Sequence, residues 1–121
     1  MAEAVRTKRV YEPADPGDGA RVLVDRIWPR GLRKEDAALT LWLKEIAPST
    51  ALRHWFGHRP ERWDEFRRRY GEELDRNPDA VARLRELAKG GPVTLLFAAH
   101  DAERSNAAAL AEYLRRHERR G

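Results

Sequence analysis

Pro92-Val93-Thr94-Leu95-Leu96-Phe97-Ala98-Ala99 is apolar at both alternating sets of positions, the pattern of a strand covered on both faces of a sheet. Such a strand sits at the centre of a layered α/β arrangement rather than at an edge. Upstream of it, Asn77-Pro78 reads as a cap and first helical residue, Val81, Leu84, Leu87 and Ala88 form a stripe at helical spacing, and Gly90-Gly91 stops the helix. Downstream, Ala107, Leu110, Ala111 and Leu114 predict a last helix from about Ala102 to Arg116, with Asp101 as its cap.

Further from this strand, Arg6 to Tyr11 and Arg21 to Asp25 read as two more strands. Between them, Glu12-Pro13-Ala14-Asp15-Pro16-Gly17-Asp18-Gly19 carries three acidic side chains. It lacks the ligand spacing and closing glutamate of a twelve-residue calcium loop, so it reads as turn chemistry. Leu39, Trp42, Leu43 and Ile46 fall at i, i+3, i+4 and i+7 and predict a helix over Asp36 to Ile46, capped by Asp36 and broken by Ala47-Pro48. Ser49 or Thr50 then caps a shorter helix that turns Leu52, Trp55 and Phe56 inward and ends at Gly57. From Pro60 onward, Trp63, Phe66, Tyr70 and Leu74 mark an amphipathic helix. The expected fold is one α/β domain over residues 1–121, a small, largely parallel two- to three-stranded sheet flanked by about five helices. Trp42, Trp55 and Trp63 are expected to anchor its core.

Hydrophobic residues at 41% and charged residues at 36% fit a water-soluble globular domain, and the longest apolar run, Val93 to Ala99, is too short to span a bilayer. Met1 to Arg6 lacks the apolar core of a secretory signal, and the absence of cysteine removes disulfides and thiolate metal sites. These features predict a cytoplasmic protein with no membrane partner, a monomer or weak dimer. The net charge of +4 is a diffuse excess, because 24 basic residues are interleaved with 20 acidic ones.

Function is sought where strands end. In Val22-Leu23-Val24-Asp25-Arg26-Ile27-Trp28-Pro29-Arg30-Gly31 an apolar run empties into an aspartate, two arginines and a tryptophan held between Pro and Gly. Ligands of open α/β sheets gather beyond the carboxyl ends of the strands. Asp25 and Arg26 are the candidate catalytic residues, Asp25 as general base, as a metal ligand or as an orienting group for Arg26. Arg26, Trp28 and Arg30 are candidate ligand contacts, the guanidinium forks suiting carboxylate or phosphate, and Arg53 on the short helix is a candidate to join them. The second strand end, His100-Asp101 with Asn106 one turn further on, opens onto the same rim if the strands are parallel, where an anion could sit between the two clusters.

The segments Leu23 to Gly31, Trp42 through Ala47-Pro48-Ser49, Leu52-Arg53-His54-Trp55-Phe56-Gly57-His58, Trp63 to Phe66 with Tyr70 and Leu74, and Thr94-Leu95-Leu96 with Ala98-Ala99 and Asn106-Ala107 together resemble the YeaO-like branch of the domain of unknown function 488 family. The resemblance spans nearly the whole chain. It implies variable residues at position 100, hence no compulsory role for the His100 imidazole, and it carries Asn106 over as a ligand-binding candidate. It brings no settled activity and names no cofactor. Transcription-regulator labels attached to some members find no helix-turn-helix with a basic reading helix here.

Other chemistries find less support. His54 and His58 are four apart, but Gly57 interrupts their helix and no glutamate follows His54, so no metal ligands are assigned. Ser49 and Ser105 sit at helix starts outside any nucleophile elbow, and no phosphate-binding glycine loop occurs. Two readings remain: a domain or enzyme that binds a small, nucleotide-like anion at the strand-end rim, or a nucleic-acid accessory protein. The second would contact phosphates through arginines such as Arg67-Arg68-Arg69 and Arg115-Arg116.

Overall fold

Parallel strands β1 (Val5–Arg9), β2 (Ala20–Leu23), β3 (Leu41–Trp42) and β4 (Val93–Phe97) form one sheet in the order β1-β4-β2-β3 in the computed structural model, which describes residues 5–118. The N-terminal residues 1–4 and the end of the basic tail, 119–121, lie outside the described residues. β4 is interior to the sheet, all five of its residues are buried, and Leu95 lies opposite Val22 while Leu96 lies opposite Leu23. The sheet thus has four strands where two or three were expected.

The extra strand comes from the segment read as a helix over Asp36 to Ile46. Only one helical turn, α1 (Lys34–Ala37), forms there, and Ala38 ends it in the left-handed region at φ 50°. The chain then runs extended: Thr40 N–H donates to Arg21 C=O at 2.8 Å, Leu43 N–H to Leu23 C=O at 2.9 Å, and Thr40 Oγ1 accepts from Arg21 N–H. Leu41 and Leu43 face one core while Trp42 faces the other, so Trp42 is a strand anchor and not part of a helical stripe. A 3₁₀ turn at Lys44–Ile46 closes the segment. Asp36 caps nothing; its carboxylate accepts from the Arg33 guanidinium.

Crossovers between parallel strands are right-handed, so connections that run in opposite directions across the sheet fall on opposite faces. The return from β3 to β4 carries α2 (Thr50–Phe56), α3 (Trp63–Asp75) and α4 (Pro78–Lys89), and α5 (Asn106–Glu118) follows β4. These four helices cover one face, where Val22, Leu95 and Phe97 meet Phe66, Tyr70, Leu84 and Leu110 in the main core. Each such side chain contributes about 1.5–3 kcal/mol by leaving water. The other face is not covered by a matching helical layer, as the doubly apolar β4 had suggested. Trp28, Leu32, Leu39 and Trp42 from the connections close it over Val10, Leu23 and Leu96.

The opposite end of that second face is polar. Asp18 is buried between Lys8 Nζ at 3.1 Å and Arg21 Nη1 at 2.5 Å, and Arg21 also donates to the Ala37 and Ala38 carbonyls, fixing the end of α1. The acidic loop is turn chemistry, as its sequence suggests: Asp15 caps a 3₁₀ turn at Pro16–Asp18. Gly19 follows at φ 66°, where a Cβ would lie 2.1 Å from the Pro92 carbonyl oxygen.

Ser49 caps α2 by accepting Leu52 N–H, and Gly57 ends it in the left-handed region, as expected. The last helix begins at Asn106, about one turn later than the expected start at Ala102. Asp101 accepts Glu103 and Arg104 N–H and so caps the preceding turn, whereas Ser105 Oγ accepts Ala108 N–H at the true helix start. Among the described residues no helix is long and apolar enough to cross a membrane.

Candidate functional site

Because β2 and β4 are adjacent and parallel, Val24-Asp25 and Ala98-Ala99 leave the sheet at the same edge. Asp25 joins the two ends: Oδ2 accepts Ala98 N–H at 2.9 Å, and Oδ1 accepts Asn106 Nδ2 at 3.1 Å. Asn106 Nδ2 also donates to Val24 C=O at 3.0 Å, and Trp42 Nε1 donates to Asp25 C=O at 2.7 Å. The Asp25 carboxylate thus ties the end of β2 to β4 and α5, and the Asp25 backbone carbonyl adds β3. Burial pushes the Asp25 carboxyl above the ordinary aspartate value, against the downward pull of the Ala98 N–H, the Asn106 amide and the Arg53 charge.

Beyond this tie the chain opens into a cleft of about 690 Å³. Its walls come from the loop after β2, the Ala47-Pro48 bend, α2, the loop after β4 and the start of α5. The strand-end residues read from sequence, Asp25, Arg26, Trp28, Arg30, Arg53 and Asn106, all line it, as do His100 and Asp101. The two strand-end clusters therefore converge as the parallel sheet requires.

The cations differ in how they are held. Arg26 donates to Ala47 C=O at 3.2 Å and more weakly to Pro48 C=O at 3.4 Å, which latches the Asp25–Arg30 loop to the bend before α2. Arg104 pairs with Asp101 at 3.0 Å. Arg30 gives its backbone carbonyl to Tyr11 OH, but its guanidinium has no hydrogen-bond partner among the described residues. Arg53 acts on Asp25 through charge alone. Two exposed guanidinium groups thus face the cleft with their donor forks open.

Trp28 closes the second core and also reaches the cleft. Its Nε1 donates to Leu32 C=O at 2.7 Å and its ring meets Trp42 edge-on at 5.4 Å, closing the second core, while another part of it lines the cleft. Sequence reasoning missed the floor. Phe56 and Phe66 reach the cleft from α2 and α3, stacked at 4.5 Å, although their helical spacing marked them only as core. It also missed His58, which lies just after Gly57 at φ 58°, as a wall residue rather than a metal ligand. Among the described residues, no group of three or more His, Cys, Asp or Glu side chains could hold a metal ion.

Comparison with known proteins places this geometry in a family. The family described as the inactive DUF488-N3 subclade matches residues 4–120. An uncharacterised protein of Mycobacterium tuberculosis (strain H37Rv) is 53% identical over 110 residues, covering 91% of this chain and 92% of the relative, and one from Mycobacterium bovis is equally similar. The uncharacterised protein YeaO of Escherichia coli (strain K12) is 45% identical over 111 residues, 92% of this chain and 96% of its own length. No solved structure matches. With the family match and these relatives each covering most of its length, the chain belongs to the domain of unknown function 488 family, in its YeaO-like branch.

Proposed function

We propose that the domain binds a small anionic molecule in the strand-end cleft and does so without chemical turnover. The observation that carries this reading is the division of labour among the charged groups. Both Asp25 oxygens accept bonds that hold the sheet edge together, whereas Arg30 and Arg53 present open donors to the cleft. A general base must reach its proton with a free lone pair in good geometry, and a carboxylate already held by two donors is better suited to positioning. The description of the matching subclade as inactive supports the same choice. A cytoplasmic location accompanies this proposal, since the pool of small anionic metabolites lies there.

One arginine run named for the nucleic-acid reading, Arg67-Arg68-Arg69, is engaged in ion pairs within the protein, which supports the small-anion reading over it. Arg67 pairs with Asp64 and Glu112, Arg68 with Glu65 and Glu72, and Arg69 with Glu65. These guanidinium groups are neutralised within the protein rather than offered to phosphates.

Thermal-shift titration with inorganic phosphate, ribose 5-phosphate, adenosine 5′-monophosphate, benzoate and a short oligonucleotide tests the proposal, because a ligand that binds only the native state raises Tm. At least one small anion is expected to raise Tm, and the shift should persist in about 0.3 M salt, where exposed charges are screened within several Å. Arg30→Gln with Arg53→Gln should abolish it, and glutamine at positions 67, 68 and 69 together should not. A shift seen only with the oligonucleotide, lost in salt or lost in the 67–69 variant, would overturn the proposal in favour of backbone binding.

A further inference from the structure

Resting on that reading, we infer that the ligand carries a flat aromatic body and a single acidic group, the ring lying against the apolar part of the cleft above the buried Phe56–Phe66 stack and the acid between Arg30 and Arg53. The floor and side walls carry the first half of the argument. Phe56 and Phe66 stack at 4.5 Å with 23° between their planes and are buried beneath the cleft, so the apolar surface that a ligand can touch comes mainly from Ile27, Trp28, Ala98 and Ala99 above them. Ala47 and Pro48 add buried apolar lining, and Asp25, His58, His100 and Asn106 bring polar groups to other parts of the same cleft. A ring face or edge matches the apolar part of this surface in both shape and polarity. The volume of about 690 Å³ suits a body of that size, and an inorganic anion alone would leave most of it filled with water.

The rim carries the second half. Arg30 and Arg53 hold open forks suited to one carboxylate or one phosphate. Arg26 and Arg104 are already engaged by the Ala47 and Pro48 carbonyls and by Asp101. Asp25 and Asp101 line the same cleft, so a second acid group would meet like charge rather than another free arginine. The cleft therefore favours one acid group over a polyphosphate chain. Asn106 adds a polar point on the wall: its amide hydrogens go to Val24 and Asp25, and its Oδ1 has no donor among the described residues, which suits a ring bearing an N–H.

Aryl carboxylates and nucleoside monophosphates both satisfy this chemistry, and isothermal titration distinguishes them. The ring-plus-acid probes are indole-3-acetate and adenosine 5′-monophosphate. Acetate and ribose 5-phosphate supply the acid without the ring, adenosine supplies the ring without the acid, and adenosine triphosphate adds charge. Removing the ring is expected to weaken binding by about 50-fold, the effect of roughly 100 Å² of apolar contact. Triphosphate is expected to bind at least tenfold more weakly than monophosphate. Ala99→Leu, which adds bulk at a partly exposed wall position, should remove ring-dependent binding while the thermal transition stays cooperative. Should ribose 5-phosphate match adenosine 5′-monophosphate, or Ala99→Leu bind the ring probes as wild type does, this inference is overturned while anion binding stands. Absence of binding by every acid tested would overturn the anion reading itself, and this one with it.

Discussion

Asp25→Asn separates an architectural carboxylate from a catalytic or ion-paired one. The wild-type side chain offers two acceptors, one to Ala98 N–H at 2.9 Å and one to Asn106 Nδ2 at 3.1 Å. Asparagine offers a single acceptor, so one donor is left facing an NH₂ group. Asn106 cannot escape by rotating its amide, because the same nitrogen also donates to Val24 C=O. An unmet donor in a part-buried position costs about 1–3 kcal/mol. Opposing this, asparagine removes a charge that burial disfavours, which is why the Asp25 carboxyl sits above its ordinary value.

The two effects separate by pH. A carboxyl whose folded pKa is raised contributes stability that is fully present below its unfolded value near 3.8 and is lost as pH rises through the folded value. Protonation turns one Asp25 oxygen into a hydroxyl that accepts more weakly, so the deficit of Asp25→Asn relative to wild type is at most about 1–3 kcal/mol; by linkage it is largest at the acid end and shrinks toward pH 7. For a chain of this length that is a Tm difference of about 3–6 °C per kcal/mol. Circular-dichroism melts of both proteins between pH 4 and pH 7.5 read it directly, since other titrating groups cancel in the difference. A deficit that grew toward neutral pH would mean that the Ala98 N–H, the Asn106 amide and Arg53 together favour the ionised carboxylate more than burial disfavours it, and the reasoning would fail.

Asp18→Ala should destabilise by about 3 kcal/mol or more, because it leaves the buried Arg21 guanidinium without its counter-charge. Burial raises the Asp18 pKa, but the Asp15 N–H and the Lys8 and Arg21 cations hold it below 3.8 in balance. Its contribution is thus present above that value and lost as pH falls through the folded one, so the wild-type advantage should vanish in acid, the reverse of Asp25. Gly19→Ala should prevent folding or lower Tm by more than 10 °C in a melt, given a Cβ 2.1 Å from the Pro92 carbonyl oxygen. Ser49→Ala should cost about 1–2 kcal/mol in urea unfolding, since Ser49 Oγ both accepts Leu52 N–H and donates to Glu73 at 2.6 Å.

How far the sequence reveals the fold depends on whether the deciding information is local. β4 and α3 are legible because period and composition agree: β4 is apolar at every alternation, and Phe66, Tyr70 and Leu74 are all nearly fully buried along one helix face. Residues 39–46 are misread because Leu39, Trp42, Leu43 and Ile46 satisfy helical spacing while the chain is a short strand followed by a 3₁₀ turn. What decides the matter is the bond from Thr40 to Arg21, nineteen positions away, which gives an edge strand a partner that a local pattern cannot show. The late start of α5 has a similar cause. Asp101 and Ser105 are both good caps, and only the three-dimensional course of the loop assigns the first to a turn and the second to the helix.

The site was legible for a different reason, and its floor was hidden for the same one. In a parallel sheet every strand points its carboxyl end to one edge, so charged residues just past two adjacent strands must meet there whatever the rest of the chain does. That geometry brings Asp25, Arg26 and Arg30 to Asn106 without any knowledge of the helices. Arg53, Phe56 and Phe66 instead reach the cleft only through the docking of α2 against α3 on the sheet. Apolar residues on those helices obey one spacing whether they end under other side chains or at the bottom of a cleft. A buried stripe underlies a cleft only where the covering layer stops short, and here Arg26, latched to Ala47 and Pro48, holds the neighbouring loop beside the opening. The guanidinium that sequence places among the catalytic candidates thereby shapes the cleft, and the open donors pass to Arg30 and Arg53.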